Sequence, residues 1–369
     1  MDSMYTTDKR IVMTLDAGGT NLVFSAMQGG VEVVEPVTLP AASHNLNDCL
    51  RNITEGFETI RKALPEPPAA ISFAFPGPAD YEAGIIGDLP NFPSFRGGVA
   101  LGPYLKEVFG IPVFINNDGN LFAYGEALAG ALPQLNKRLA GAGSIRRYRI
   151  LLGITLGTGF GAGVVLDGRL LLGDNGAGGD VWCLRNKKYP HCIAEESVSI
   201  RAVKRVYQEL AGEWNEESAH LTPKELFEIA EGVRPGNREA AIRSFAQLGE
   251  MAGDAIAQAI TLIDGVVVIG GGLAGASRYI LPSLIAELNS SLQMMDGTTV
   301  NRLQMKAFNL EEEDQFAVFA KGEAVKIRVP GTDRQIDYDP FKRFGVMISK
   351  QGTSRSVALG AYVYALDQL

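Results

Sequence analysis

Short apolar runs alternate along this chain with longer segments in which apolar residues recur every three or four positions. That is the pattern of strands alternating with amphipathic helices. Residues 11–15 are a run of the first kind, and 21–27 and 31–37 continue it, with Gly29-Gly30 as a hairpin turn between them. Leu46, Leu50, Ile53, Phe57, Ile60 and Leu64 then mark one face of a helix that Pro65 ends. Residues 69–75 predict a strand, 113–115 a short strand and 121–128 a helix, whereas 132–147 is polar, broken by glycine, and reads as a surface excursion. Residues 149–156 and 162–166 predict paired strands. Helical patterns follow over 196–210, 222–231, 237–263 and 281–292, with a buried strand at 266–269 and a closing apolar helix at 357–366. Between 303 and 344 charge rises and the pieces are strand-like; Glu311-Glu312-Glu313-Asp314 reads as a solvated acidic loop.

Strands alternating with helices give an α/β class. The strand–glycine turn–strand unit occurs at 11–37 and again at 149–166, which predicts a duplicated architecture around a cleft. The expected division is a first domain of residues 1–118, joined by a C-terminal helix at 355–369, and a second of 119–354. A chain of 369 residues, 46% of them hydrophobic, suffices for two cores.

Four glycine-rich turns carry the chemical signal. They are Asp16-Ala17-Gly18-Gly19-Thr20-Asn21, Asn116-Asn117-Asp118-Gly119-Asn120, the stretch from Gly157-Thr158-Gly159 to Gly163, and the stretch from Gly270-Gly271-Gly272 to Gly275. Glycine lets backbone approach a ligand closely, and its N–H groups can cradle phosphate. Gly18, Gly19, Thr20 and Asn21, and again Gly157, Thr158 and Gly159, offer such donors; the alternative for each loop is a plain hairpin turn. Asp16 ends a strand ahead of its turn and is suited to hold Mg²⁺ through water, since that ion takes carboxylate and phosphate oxygens. Asp118 follows a short strand and precedes a helix, so its carboxylate can take a proton from an attacking hydroxyl; the alternative is that it caps the helix. Gly270 to Gly275 also fits the dinucleotide fingerprint, but a nicotinamide enzyme would leave Asp16 to Asn21 and Asp118 unexplained.

A net charge of −8 argues against a nucleic-acid partner. The one dense basic stretch, Arg146-Arg147-Tyr148-Arg149, reads as a solvated loop. Cys49, Cys183 and Cys192 are too few for a disulfide scaffold. Residues 1–10 lack the apolar run of a signal peptide, and no stretch approaches the ~20 apolar residues of a membrane span. The expectation is a soluble cytoplasmic protein with no membrane partner.

In this order the motifs resemble the ROK family of sugar kinases and repressors, within the actin/hexokinase-like (ribonuclease H-like) fold. The resemblance rests on Asp16 to Asn21, Phe75-Pro76-Gly77-Pro78-Ala79-Asp80, Leu89-Pro90-Asn91-Phe92, Asn117-Asp118, Gly157-Thr158-Gly159 and Ala358-Leu359-Gly360-Ala361, and so covers nearly the whole chain. It implies two duplicated domains around a nucleotide cleft, and ATP with Mg²⁺ as cofactors. It further implies transfer of a phosphoryl group to a hexose or N-acetylhexosamine, and a dimer or tetramer. By the same resemblance Asp118 is the general base, Asn117 contacts the sugar, Asn91 reaches the pocket, and the turn at Gly270, Gly271 and Gly272 lies by the adenosine. No helix-turn-helix module precedes residue 11, which weighs against a repressor.

The chain departs from the family at one place. Where sugar kinases of this family carry Gly-Glu-Ile-Gly-His and a cysteine-rich zinc segment, it has Gly179-Asp180-Val181-Trp182-Cys183, then only His191 and Cys192. In that register Asp180 replaces the sugar-binding glutamate and Cys183 the histidine; Glu195 matches the later sugar-contacting glutamate, with Glu196 as the alternative. Cys183, His191 and Cys192 make three ligands, one fewer than a structural zinc takes, so zinc is not expected. The altered pocket leaves a second reading open, a sugar-sensing protein on the same fold.

Overall fold

In the computed structural model, which describes residues 4–18, 20–77, 79–87, 92–212 and 220–369, the first apolar run is β1 (Val12–Ala17). It forms an antiparallel hairpin with β2 (Asn21–Gln28), Val12 opposite Met27 and Ala17 opposite Leu22. The strand expected over 31–37 is two pieces, β3 (Val31–Glu32) and β4 (Val37–Pro40), both paired with β2. Pro36, which has no N–H for a ladder, stands immediately before the second piece. On the other side of β1, β5 (Ala70–Ala74) and β6 (Val113–Asn116) add in parallel.

Helix α1 (Leu46–Ala63) starts where the Asn45 side chain accepts the Asp48 N–H, and it buries Cys49, Ile53, Phe57 and Ile60. The Phe57 ring meets Phe24 edge-on at 5.1 Å and lies 5.9 Å from Phe73 and from Phe109 at the end of α2 (Leu101–Phe109). This aromatic cluster lies in the core of the first unit. Helix α3 (Asp118–Leu128) is buried from Gly119 to Ala127, so it carries no polar face. Its partner is the C-terminal helix Thr353–Gln368; a Cβ on Gly125 would strike the Ser356 carbonyl, and one on Gly360 the Leu121 carbonyl. The two backbones meet glycine to glycine.

These elements make one compact unit, composed of Met1–Gly130, Gly163–Gly179 and Gln351–Leu369; the second comprises Ala131–Ala162 and Asp180–Lys350. The division differs from the expected break after residue 118, because α3 packs on the C-terminal helix and stays in the first unit.

The second unit begins with α4 (Ala131–Gly141), where a surface excursion was expected. Leu132, Leu135 and Leu139 are buried along one face, and that spacing outweighs the polar residues between them. β7 (Ile150–Leu156) turns through a glycine hairpin into β8 (Phe160–Leu166). α5 (Ile200–Ala211), α6 (Pro223–Glu231) and α7 (Arg238–Ile263) follow, and the Thr222–Glu225 capping box starts α6. β9 (Val266–Gly270) pairs in parallel with β7, α8 spans Ser277–Leu288, and β10 (Lys306–Asn309) and β11 (Arg343–Ile348) complete the parallel order β7–β9–β11–β10. Each of the two large sheets therefore holds a strand–glycine hairpin–strand with parallel strands beside it, the duplicated α/β architecture read from the sequence.

Two further expectations are corrected. The helix placed over 281–292 starts earlier and stops at Leu288, because residues 291–301 form an exposed hairpin. The acidic run is not a free loop. Glu313 opens α9 (Glu313–Lys321), the Glu311 carboxylate accepts the Ile348 N–H at 3.0 Å, and Glu312 accepts from Asn309 Nδ2 and Gln315 Nε2.

Candidate active site

The β1–β2 hairpin is built for exposure of its tip. Gly18 N–H donates to the Asn21 carbonyl at 3.0 Å, Thr20 is exposed, and Ala41 N–H holds the Thr20 carbonyl at 2.9 Å. Gly19 lies outside the described residues, as does Asn91. Asp16 sits one residue from the end of β1, beside Val23 of β2 and Ala74 of β5.

Asp118 is the first residue of α3. The helix cap is Asn117, whose Oδ1 accepts the Gly119 N–H at 2.8 Å, so the capping role set against catalysis for Asp118 belongs chiefly to its neighbour. Asp118 Oδ1 also accepts the Gly119 N–H, at 2.9 Å, which leaves its other oxygen without that bond. Asn116, buried at the end of β6, fixes the turn: its Oδ1 accepts the Asn117 N–H at 2.8 Å and Asn120 Nδ2 at 3.0 Å. The sequence signal for Asn116 was present in the turn, and its Oδ1 holds that turn through one backbone and one side-chain donor.

Asp16 and Asp118 line one pocket of about 430 Å³ within the first unit. Among the described residues, Glu32 adds a third carboxylate to its lining, and Arg355, at the start of the C-terminal helix, is the single cation there. Arg355 and Ser354 were not anticipated, since nothing local in that helix marks them as pocket residues. Surrounding protein pushes the Asp118 carboxyl above the usual carboxylate range, and the Asp16 charge pushes it further; the backbone N–H groups of Gly119 and Asp118 pull the other way. Burial also raises Asp16. Both carboxylates are nonetheless reachable from the pocket. A carboxylate with raised proton affinity and open access is the physical profile of a general base.

In the second unit, Gly157 N–H donates to the Gly159 carbonyl at 3.1 Å and leaves Thr158 exposed at the hairpin tip. Glu195 belongs to the same local structure. Its Oε2 accepts the Phe160 N–H at 3.0 Å and occupies the space a Cβ on Gly159 would need, while Arg201 pairs with Oε1 at 3.0 Å. Glu196 faces Arg201 and Arg205 instead, so only Glu195 of the two alternatives touches the hairpin. Gly270 ends β9. Gly271 has φ +91° and presses against the Leu156 backbone, and Gly272 starts a short 3-10 helix ahead of α8. Asp180 precedes a 3-10 turn over Val181–Cys183; burial raises its carboxyl and a hydrogen bond from Trp182 partly offsets this.

Cys183, His191 and Cys192 are all exposed, and the Cys183 thiol donates to the Asp180 carbonyl at 3.0 Å. Among the described residues no group of three or more His, Cys, Asp or Glu side chains is placed to hold a metal ion. The residues present do not fit a zinc site. No helix among the described residues is long and apolar enough to cross a membrane.

Two α/β units of this build, with an aspartate heading a buried helix, define the actin/hexokinase-like fold. The chain belongs to the ROK family, whose model matches residues 12–313. A crystal structure of a glucokinase from Parabacteroides distasonis is 67% identical, with a TM-score of 0.92 over 99% of this chain and 100% of that one. A glucokinase from Thermotoga maritima is 29% identical over 308 residues, 73% of this chain and 88% of its own length. An N-acetylgalactosamine kinase, AgaK, from Shewanella sp. is 25% identical over 310 residues, 80% of this chain and 91% of its own.

Proposed function

We propose that this protein, an ATP-dependent carbohydrate kinase, transfers the γ-phosphoryl group of ATP to a hydroxyl of a hexose or N-acetylhexosamine with Asp118 as general base. The observation that carries the reading is the pair Asp16 and Asp118, on separate elements, open to one pocket and both raised in proton affinity. Phosphoryl transfer asks a protein mainly for positioning and charge, with one group to receive the hydroxyl proton. Asp118 takes that proton as the sugar oxygen bonds to the γ-phosphorus, and the bond to the β-phosphate oxygen breaks to release ADP. Asp16 is the residue that would hold Mg²⁺ through water, and the ion, when bound, neutralises phosphate charge. Gly18, Thr20 and Asn21 of the first unit, and Gly157, Thr158 and Gly159 of the second, are proposed phosphate donors. Gly270 to Gly272 are proposed to lie by the adenosine, and Asn117, Asp180 and Glu195 to contact the sugar.

The test is ADP release from Mg-ATP against glucose, other hexoses, ketohexoses and N-acetylhexosamines. Glucose comes first because the 67% identical structure is named a glucokinase. Sugar-dependent ADP release supports the reading. Silence across the panel from folded, ATP-binding protein overturns it in favour of a sugar sensor, the alternative that the Asp180–Cys183 departure favours.

The pH profile gives a second check. Asp118 acts as a base only when ionised, and its carboxyl is raised by burial first and Asp16 second. The acid limb of kcat/KM, which reports the free enzyme, should therefore lie above the ~3.9 of an ordinary aspartate. A limb at or below that value would remove Asp118 from the role.

A further inference from the structure

We propose that Asn186 fastens the loop that presents Glu195, doing with one carboxamide what a bound zinc would otherwise do; the proposal rests on the sugar-kinase reading for its kinetic consequence. The loop's neck is closed by backbone: Arg185 pairs with Ile193, Ala194 N–H donates to the Leu184 carbonyl at 2.7 Å, and Asn186 N–H to the Cys192 carbonyl at 3.0 Å. Inside that neck the Asn186 side chain is 2% exposed. Its Oδ1 accepts the N–H groups of Lys188 and Tyr189, both at 3.0 Å. Its Nδ2 donates to the Ile193 carbonyl at 3.1 Å and to Ser197 Oγ at 2.8 Å.

A carboxamide has two acceptor lone pairs and two donor hydrogens, and here all four are used. The four partners lie on both arms of the loop and on Ser197, just past the 3-10 turn Ala194–Glu196. Glu195 on that turn reaches the Phe160 N–H beside the glycine hairpin, and Ile200 N–H donates to the Gly157 carbonyl at 2.9 Å. One saturated buried side chain thus connects the loop to the segment that holds both Glu195 and the hairpin. Lys187 anchors the outside of the loop, pairing with Glu250 of α7 and Glu287 of α8, each at 2.7 Å. The side chains that zinc would gather, those of Cys183, His191 and Cys192, are exposed, the Cys183 thiol lies on the Asp180 carbonyl, and none of the three takes part in the Asn186 side-chain bonds.

Asn186 is a positioning residue in this scheme, and the experiment separates that from general stability. Purified wild-type protein should carry no stoichiometric zinc, and its activity should survive a zinc chelator with Mg²⁺ in excess. In Asn186→Ala, KM for the sugar should rise about tenfold or more while KM for ATP stays within about threefold. Amide exchange at Lys188, Tyr189 and Cys192 should accelerate in that variant while the amides of β7 remain protected. Asn186→Asp keeps the two acceptor bonds and loses both donors, so the Lys188 and Tyr189 amides should stay protected while the KM effect persists. One zinc per chain, an equal rise in both KM values, or unchanged amide exchange in Asn186→Ala would each overturn the proposal. Were wild-type protein inactive on every sugar, the sugar-kinase reading would fall, and zinc content and amide exchange would still decide whether Asn186 is the fastener.

Discussion

Replacing Asp118 with asparagine should lower kcat for sugar phosphorylation by roughly 10²–10⁴-fold and leave KM for ATP little changed. Asparagine keeps an oxygen to accept the Gly119 N–H, so the first turn of α3 retains its geometry. What it loses is the only feature the chemistry needs there, an ionised oxygen able to take the hydroxyl proton. The variant should also be at least as stable as wild type near neutral pH. The folded state raises the Asp118 carboxyl, so it favours the protonated acid; that contribution is present below the unfolded pKa and is lost as pH rises through the folded one. Above it the charge is a cost, and asparagine removes the charge. Loss of activity together with an equal or higher Tm is therefore the signature of a base kept ionised against its surroundings. Near-normal kcat would end the assignment, and a large drop in Tm would assign the residue to structure.

The parts of this molecule legible in the sequence are those whose signal is local. The α1 stripe names the buried face of that helix, and Gly29-Gly30 names the β2–β3 turn, because in each case the signal is complete within the element itself. Asp16, Asp118 and the Gly157–Gly159 hairpin stand out as site candidates because a strand end with glycine close behind is a pattern of a few residues. Where the partner is distant, the sequence was silent. Glu311 looks like solvated charge until Ile348 is seen to donate to it, and Arg355 acquires meaning only when the C-terminal helix brings it to a pocket lined by β1. Asn186 belongs to the same class: it sits in no periodic pattern, and its four partners become visible only when the loop is closed. The α4 helix was missed for a different reason, since Leu132, Leu135 and Leu139 are a sufficient stripe but are diluted by Gly141, Gly143 and the polar residues among them.

The same distinction between local preference and distant contact sets up the largest expected stability effect. Gly125→Ala should destabilise the protein by about 1–3 kcal/mol or more, although helix propensity alone favours alanine over glycine by ~1 kcal/mol. A Cβ at Gly125 would meet the Ser356 carbonyl, and the Gly360 backbone nitrogen at 3.0 Å; these are main-chain atoms of the C-terminal helix and cannot swing aside as a side chain would. Relief requires that helix to move off α3, and the contact at Gly360 against the Leu121 carbonyl closes the same seam from the other side. The consequence extends to chemistry, because α3 carries Asp118 at its head and the C-terminal helix carries Arg355 to the same pocket. Gly125→Ala should thus lower kcat as well as Tm, with no substituted atom in the pocket. Gly141→Ala is the control: Gly141 ends α4, nothing lies within 4 Å of its Cβ position, and alanine there should leave Tm equal or slightly raised. Thermal unfolding of the two variants side by side decides the matter. If Gly125→Ala also matched or exceeded wild type, the glycine seam would not be what holds α3 against the C-terminal helix, and the placement of Asp118 would have to rest on the Asn116 and Asn117 turn alone.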